Sequence, residues 1–151
     1  MAKSSAQLDR EIADALQSRV ELVIDDTYRP WRELQIRALD NGQEIASMDI
    51  TTDEEGIPFV SMVSVASAAE RRGIATLLYR EAFRLVDKRY GQQLHSDVER
   101  SGATDAFWQK QVHEGNAVCM RKVRAASKNV AFDRIVKGRS GCERYRMTRK
   151  P

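Results

Sequence analysis

Arg71, Arg72 and Gly73 stand together where a valine-rich run, "PFVSMVSVA", ends and a helical stripe begins. The N–H groups of a first helical turn have no partners inside the helix. The helix dipole adds partial positive charge at the same place. Two guanidinium groups add full charges, and a glycine lets the backbone approach a bound group closely. A junction of this kind, running from Arg71 through Ile74 and Ala75 to Thr76, suits a pyrophosphate. A charged turn with one glycine also starts many ordinary helices, so these residues need a context before they mean more.

A second set lies in "LHSDV". His95 titrates near neutral pH, and a histidine or a carboxylate can take a proton from a reacting amine. Read as a strand, the run puts His95 and Asp97 on one face and Ser96 on the other, buried one. The plainer alternatives are a strand histidine facing solvent or a polar neighbour, and an aspartate bonding the loop "ERSG". Tyr79 falls one turn past Ala75 and reads mainly as a packing residue, with an acid as the lesser alternative. Cys119 and Cys142 make neither a disulfide framework nor a zinc set. No metal is expected, and a reduced, cytoplasmic protein is the default.

The elements that must hold these residues follow from periodicity. Ser4 and Gln7 form a capping box. Leu8, Ile12 and Leu16 then mark one face of a first helix. Val20, Leu22 and Ile24 alternate as in a half-buried strand. "ELQIRAL" places Leu34, Ile36 and Ala38 on one face, "DNG" at Asp40 to Gly42 is a hairpin turn, and "EIASMDI" returns as a third strand. A turn at Thr52 to Gly56 leads to "PFVSMVSVA", apolar on both faces and so a central strand. After Gly73, Ile74, Leu77, Leu78, Ala82 and Leu85 form a helical stripe. "GQQLHSDV" is a short strand. "SGATDAFWQKQV" is a helix capped by Ser101, with Ala103, Ala106 and Phe107 inward. "CERYRMT" closes as a strand, while Ala117 to Gly141 has no clear period. The whole is a mixed α/β layer in a single domain spanning 1–151.

Bulk properties exclude some classes. No apolar run approaches the ~20 residues of a membrane span, and the start of the chain lacks the apolar stretch of a signal peptide. The chain carries +3, yet Ala117 to Pro151 holds 11 Lys/Arg against 2 Asp/Glu, so the first 116 residues are net −6. The basic segment 117–151 is either a solvated surface or a face for an acidic partner such as nucleic acid, a phosphorylated cofactor or an acidic protein. Its aromatic interleaving, around Arg144, Tyr145 and Arg146, is slight for a nucleic-acid groove.

"VSVASAAERRGIATLLY" resembles the acyl-CoA-binding motif of the GNAT superfamily of N-acyltransferases, an Arg/Gln-x-x-Gly-x-Gly/Ala pattern entered from a central strand. Gly73 and Ala75 match its last two places, and Glu70 departs from its first. "SGATDAFWQKQV" resembles a second segment of that family. There Ser101 stands at the place of an Asn that contacts the CoA arm, and Trp108 at the place of a Tyr. The resemblance implies a mostly antiparallel central sheet flanked by helices, with its central strands splayed between Val63–Val65 and Leu94–Val98. It implies acetyl-CoA, or another acyl-CoA, as cosubstrate, bound by Val63, Val65, Arg71, Arg72, Gly73, Ile74, Ala75, Thr76, Ser101 and Trp108. The backbone N–H near Val65 would polarise the thioester carbonyl, and His95 and Asp97 are the candidate bases. The family's usual Tyr acid is absent, because Trp108 has no titratable proton. Only "DTYRPW" separates the first two strands, which leaves an open side for a large amine acceptor such as a protein or an RNA. Two other readings stand beside this one. The first is the same fold as a binding module without catalysis. The second is a nucleic-acid-binding protein without CoA, carried by the basic segment alone.

Overall fold

A computed structural model describes residues 2–124, 130–136 and 142–151, with 121–124 and 130–136 in backbone only. The basic segment 117–151 therefore falls partly outside the described residues. The chain opens with helix α1 (Ser5–Arg19), whose capping box forms as expected: Gln7 N–H donates to Ser4 Oγ at 3.2 Å and Ser4 N–H to Gln7 Oε1 at 2.9 Å. Only the last turns of α1 pack on the body. Leu16 is buried, whereas Leu8 and Ile12 remain 46% and 50% exposed, a correction to the expected apolar face.

Strands β1 (Val20–Asp25), β2 (Leu34–Asp40), β3 (Gln43–Thr52) and β4 (Pro58–Val65) form an antiparallel meander. The β2–β3 turn has Asn41 at φ 52° and Gly42 at φ 79°, two successive left-handed residues that match the twist of a hairpin. Leu34, Ile36 and Ala38 are all buried on one face of β2, as their alternation requires. Helix α2 (Ile74–Tyr90) crosses this face and buries Ile74, Leu78, Tyr79, Ala82 and Val86. Strand β5 (His95–Ser96) is much shorter than the sequence suggests, and Asp97 lies just beyond it, before the bend at Val98 and Glu99. Helix α3 (Gly102–His113) starts at Ser101, whose Oγ accepts from Thr104 N–H at 3.2 Å. Its inward side chains are Trp108 and Gln111, with Phe107 half-buried. Ala103 and Ala106, expected to face inward, are exposed.

Strands β6 (Ala117–Arg124), β7 (Val130–Val136) and β8 (Arg144–Met147) complete an eight-stranded sheet in the order β1-β2-β3-β4-β5-β8-β6-β7. Thus β8 inserts between β5 and β6, and the stretch without clear period holds two strands. This order also brings Cys119 on β6 beside Cys142, which just precedes β8. The two form a disulfide, with Cα atoms 5.7 Å apart, contrary to the expectation of unpaired thiols. Among the described residues no helix is long and apolar enough to cross a membrane. The sheet is antiparallel except between β4 and β5, and that one parallel contact sets up the site.

Candidate active site

Strands β4 and β5 pair over two positions only, Phe59 with His95 and Val60 with Ser96. Beyond Val60 the strands part, while β4 runs on to Val65 with β3 as its partner on one side. The N–H of Ala66 donates across to Ile45 O at 2.8 Å. Strand alternation then turns the N–H groups of Val63 and Val65 the other way, toward the open edge. The expected splay is therefore present, and its exposed backbone can accept an extended ligand as an added strand.

The gap widens into a cleft of about 710 Å³. Val63, Ser64 and Val65 form one wall, and Ser101, Ala103, Thr104 and Phe107 of α3 the other. Glu70, Arg71 and the start of α2 from Gly73 to Thr76 close its end. No side chain caps α2, so the N–H groups of its first turn are not taken up by a cap. Two helix N-termini thus face one cleft, and their dipoles make it hospitable to an anion.

The turn that feeds α2 is conformationally specific. Arg71 has φ 61° and Gly73 φ 77°, both left-handed. A Cβ at Gly73 would lie 2.4 Å from Gln17 Nε2 on α1. The glycine is therefore favoured by its own left-handed backbone, and any side chain there would also have to displace the Gln17 amide. Arg72 also turns away from the cleft. It lines a separate hollow with Ile12, Ala15 and Arg19, and its guanidinium stands 3.9 Å from Asp9. Glu70 lines the cleft although its charge is wrong for phosphate.

A second cavity of about 200 Å³ adjoins the first, and the two share Val63, Ser101 and Thr104. Its other walls include Met62, Asp97, Glu99, Arg100 and Trp108. Asp97 is thus brought to the site and His95 is not. His95 is 7% exposed, with Nδ1 2.9 Å from Gln93 O, and its side chain lines neither cavity. Burial pushes its pKa down to about 4. Arg144 and Arg146 push the same way, against the Gln93 contact. His95 is therefore neutral near pH 7 and weakly basic. Ser96 is buried, as the alternation implied, and its Oγ accepts from Tyr145 N–H at 2.8 Å.

Of the ten residues assigned to the cofactor, Val63, Val65, Arg71, Gly73, Ile74, Ala75, Thr76 and Ser101 line the cleft together. Trp108 is fully buried and reaches only the smaller cavity. Two residues that the sequence did not single out complete the site. Arg100, nearly buried, donates to the carbonyls of Asp97 (2.6 Å), Cys142 (2.6 Å) and Glu143 (3.0 Å), pairs with Asp105 and stands 4.8 Å over the Tyr145 ring. It ties the β5–α3 loop to the start of β8. An arginine in the polar run "ERSG" carries no signal of burial. Gln17 is the other: its Nε2 donates to Arg72 O at 2.7 Å and holds the α2 entry turn against α1.

No family model matches the sequence. No curated protein matches it closely either. Solved structures do match. A Bacillus cereus IAA acetyltransferase is 13% identical at TM-score 0.50, over 95% of this chain and 84% of that one. Tetrahymena GCN5 is 15% identical at TM-score 0.51, over 76% and 66%. A Bacillus anthracis structure named for streptothricin acetyltransferase, solved with acetyl coenzyme A, is 10% identical at TM-score 0.50, over 69% and 70%. At these identities the likeness is one of fold. Together with the sheet opened between β4 and β5, it shows that this chain has the fold of the GNAT acetyltransferases.

Proposed function

We propose that this protein is an N-acyltransferase that moves an acetyl group, or another short acyl group, from acyl-CoA to an amine. The observation that carries the reading is the open edge of β4 running beside two helix N-termini in one cleft. The pantetheine arm has amide groups that can pair with the backbone of Val63 and Val65. The pyrophosphate belongs over Gly73 to Thr76, with Arg71 adding charge. The thioester then reaches the junction of the two cavities, where the amine enters from the Asp97 side. Asp97 is better placed than His95 to orient the ammonium or take its proton, directly or through water.

No helix stands between β1 and β2. That side is left to a short loop, which suits an amine on a large acceptor such as a protein or an RNA. A second reading, the same fold as a binding module, is favoured by one observation: Trp108, with no titratable proton, stands where the family places a tyrosine. Isothermal titration with acetyl-CoA and CoA tests the first step. Micromolar binding is expected. Arg71→Gly keeps the left-handed backbone at little cost and should weaken binding by about fivefold, or ~1 kcal/mol. Absence of CoA binding by the parent overturns the proposal. Binding without thiol release in the presence of amines, proteins or RNA moves the binding module ahead.

A further inference from the structure

We propose that Tyr79 donates a hydrogen bond to the departing sulfur and that Trp108 positions its ring. This rests on the acyltransferase reading above. Tyr79 comes from α2 and lines the larger cavity, while Trp108 comes from α3 and lines the smaller. Their rings meet edge to face at 5.5 Å. The pair therefore stands where the cavities join, at the deep end of the gap between β4 and β5.

Both polar atoms are buried donors without a hydrogen-bond partner, Tyr79 Oη and Trp108 Nε1. Leaving a buried donor unsatisfied is costly, and here two such donors are adjacent. Packing does not let them relax. Phe107, on the cleft wall, stacks on Tyr79 at 4.0 Å, and Trp108 stacks on Tyr145 at 5.8 Å. An acceptor atom delivered by a ligand satisfies what the fold leaves open. Tyr145 also has an unpartnered hydroxyl, yet it lines neither cavity.

The chemistry follows from the order of donors. Burial drives the Tyr79 phenol well above its ordinary pKa, and the Trp108 N–H and the Arg100 charge recover only part of that shift. The phenol therefore keeps its proton at neutral pH and stays a neutral hydrogen-bond donor. With no acceptor inside the protein, the Tyr79 O–H is left to point at a ligand atom. In the transfer the amine nitrogen bonds to the carbonyl carbon, the C–S bond breaks, and its electron pair goes to sulfur. The Tyr79 O–H donates a hydrogen bond to the developing thiolate. The thiolate takes the proton that the amine nitrogen loses, carried by water, and leaves as the CoA thiol. No oxidant or further reactant is needed.

Tyr79→Phe removes only the hydroxyl and keeps the stacked ring. The decisive measurement is the titration of the thiol of bound CoA, followed by thiolate absorbance against a desulfo-CoA blank. It needs no knowledge of the acceptor. In the parent the bound thiol should titrate at least one pH unit, or about tenfold in its ionisation constant, below free CoA. In Tyr79→Phe it should return toward the free value, with CoA affinity within about twofold of the parent. Trp108→Phe should give an intermediate shift. Once an acceptor is found, Tyr79→Phe should lower kcat by roughly 10²–10³-fold with little change in KM. Equal thiol titration in parent and Tyr79→Phe, with CoA bound by both, overturns this proposal and leaves the acyltransferase reading intact. Failure of the parent to bind CoA overturns both.

Discussion

Gln17 Nε2 donates to the Arg72 carbonyl at 2.7 Å, across 55 residues of sequence. That single bond fastens α1 to the turn that opens α2, and the same Nε2 occupies the space a side chain at Gly73 would need. Gly73→Val therefore meets two obstacles: a left-handed backbone that a β-branched residue resists, and the Gln17 amide. We expect a loss of about 2 kcal/mol in stability and a CoA affinity at least tenfold weaker. Gln17→Ala in the same chain should return the steric part while the backbone strain persists. Chemical denaturation of the three variants measures this. Full recovery in the double variant would show that the left-handed backbone costs nothing.

Arg100 is the next point of leverage. Its guanidinium serves four carbonyls and the Asp105 carboxylate while nearly buried. Arg100→Met keeps the packing over Tyr145 but orphans those acceptors. A loss of about 3 kcal/mol or more is expected, read as a lower urea midpoint. Arg100→Lys should recover little, because an ammonium cannot span the fork of acceptors. A variant as stable as the parent would mean that water replaces every contact.

The neutral, buried His95 makes the fold sensitive to acid. Its folded pKa lies at about 4, below the ordinary value near 6.5 for an unfolded chain. Between these values the unfolded chain binds a proton that the folded one refuses. Stability should therefore be full above about pH 6.5 and fall as pH drops toward 4. His95→Gln should flatten that slope without changing the curve above neutrality. Thermal melts in steps across the range give the comparison, and parallel curves for parent and variant would contradict it.

The Cys119–Cys142 disulfide closes a loop of 23 residues. A loop of that length contributes about 3 kcal/mol through restriction of the unfolded chain. Reduction, or the double Cys→Ser change, should lower the unfolding midpoint accordingly while CoA binding persists, since neither cysteine lines the cleft. Mass spectrometry under non-reducing conditions verifies the bond. Two alkylatable thiols in the native protein would disprove it.

Local chemistry in the sequence determined much of this protein. The capping box at Ser4, the alternation of Leu34, Ile36 and Ala38, the Asn41–Gly42 turn, the α2 stripe and the Ser101 cap are short-range features, and each formed as its residue types require. The turn and helix start from Arg71 to Thr76 were legible for the same reason, because helix ends announce themselves locally. The tertiary structure decided what depends on distant partners. Strand β8 inserts between β5 and β6, and that one choice pairs Cys119 with Cys142 and ties Arg100 to the start of β8, while β5 itself runs for only two residues. With β5 so short, Asp97 leaves the strand face of His95, and only Asp97 reaches the site. Gln17 and Arg72 likewise meet because α1 folds back over 55 residues, a contact with no signature in either segment. Tyr79 looked like packing from its helical position, and it is packed. Its functional meaning comes from an unpartnered hydroxyl beside Trp108, which depends on how α2 and α3 are laid side by side.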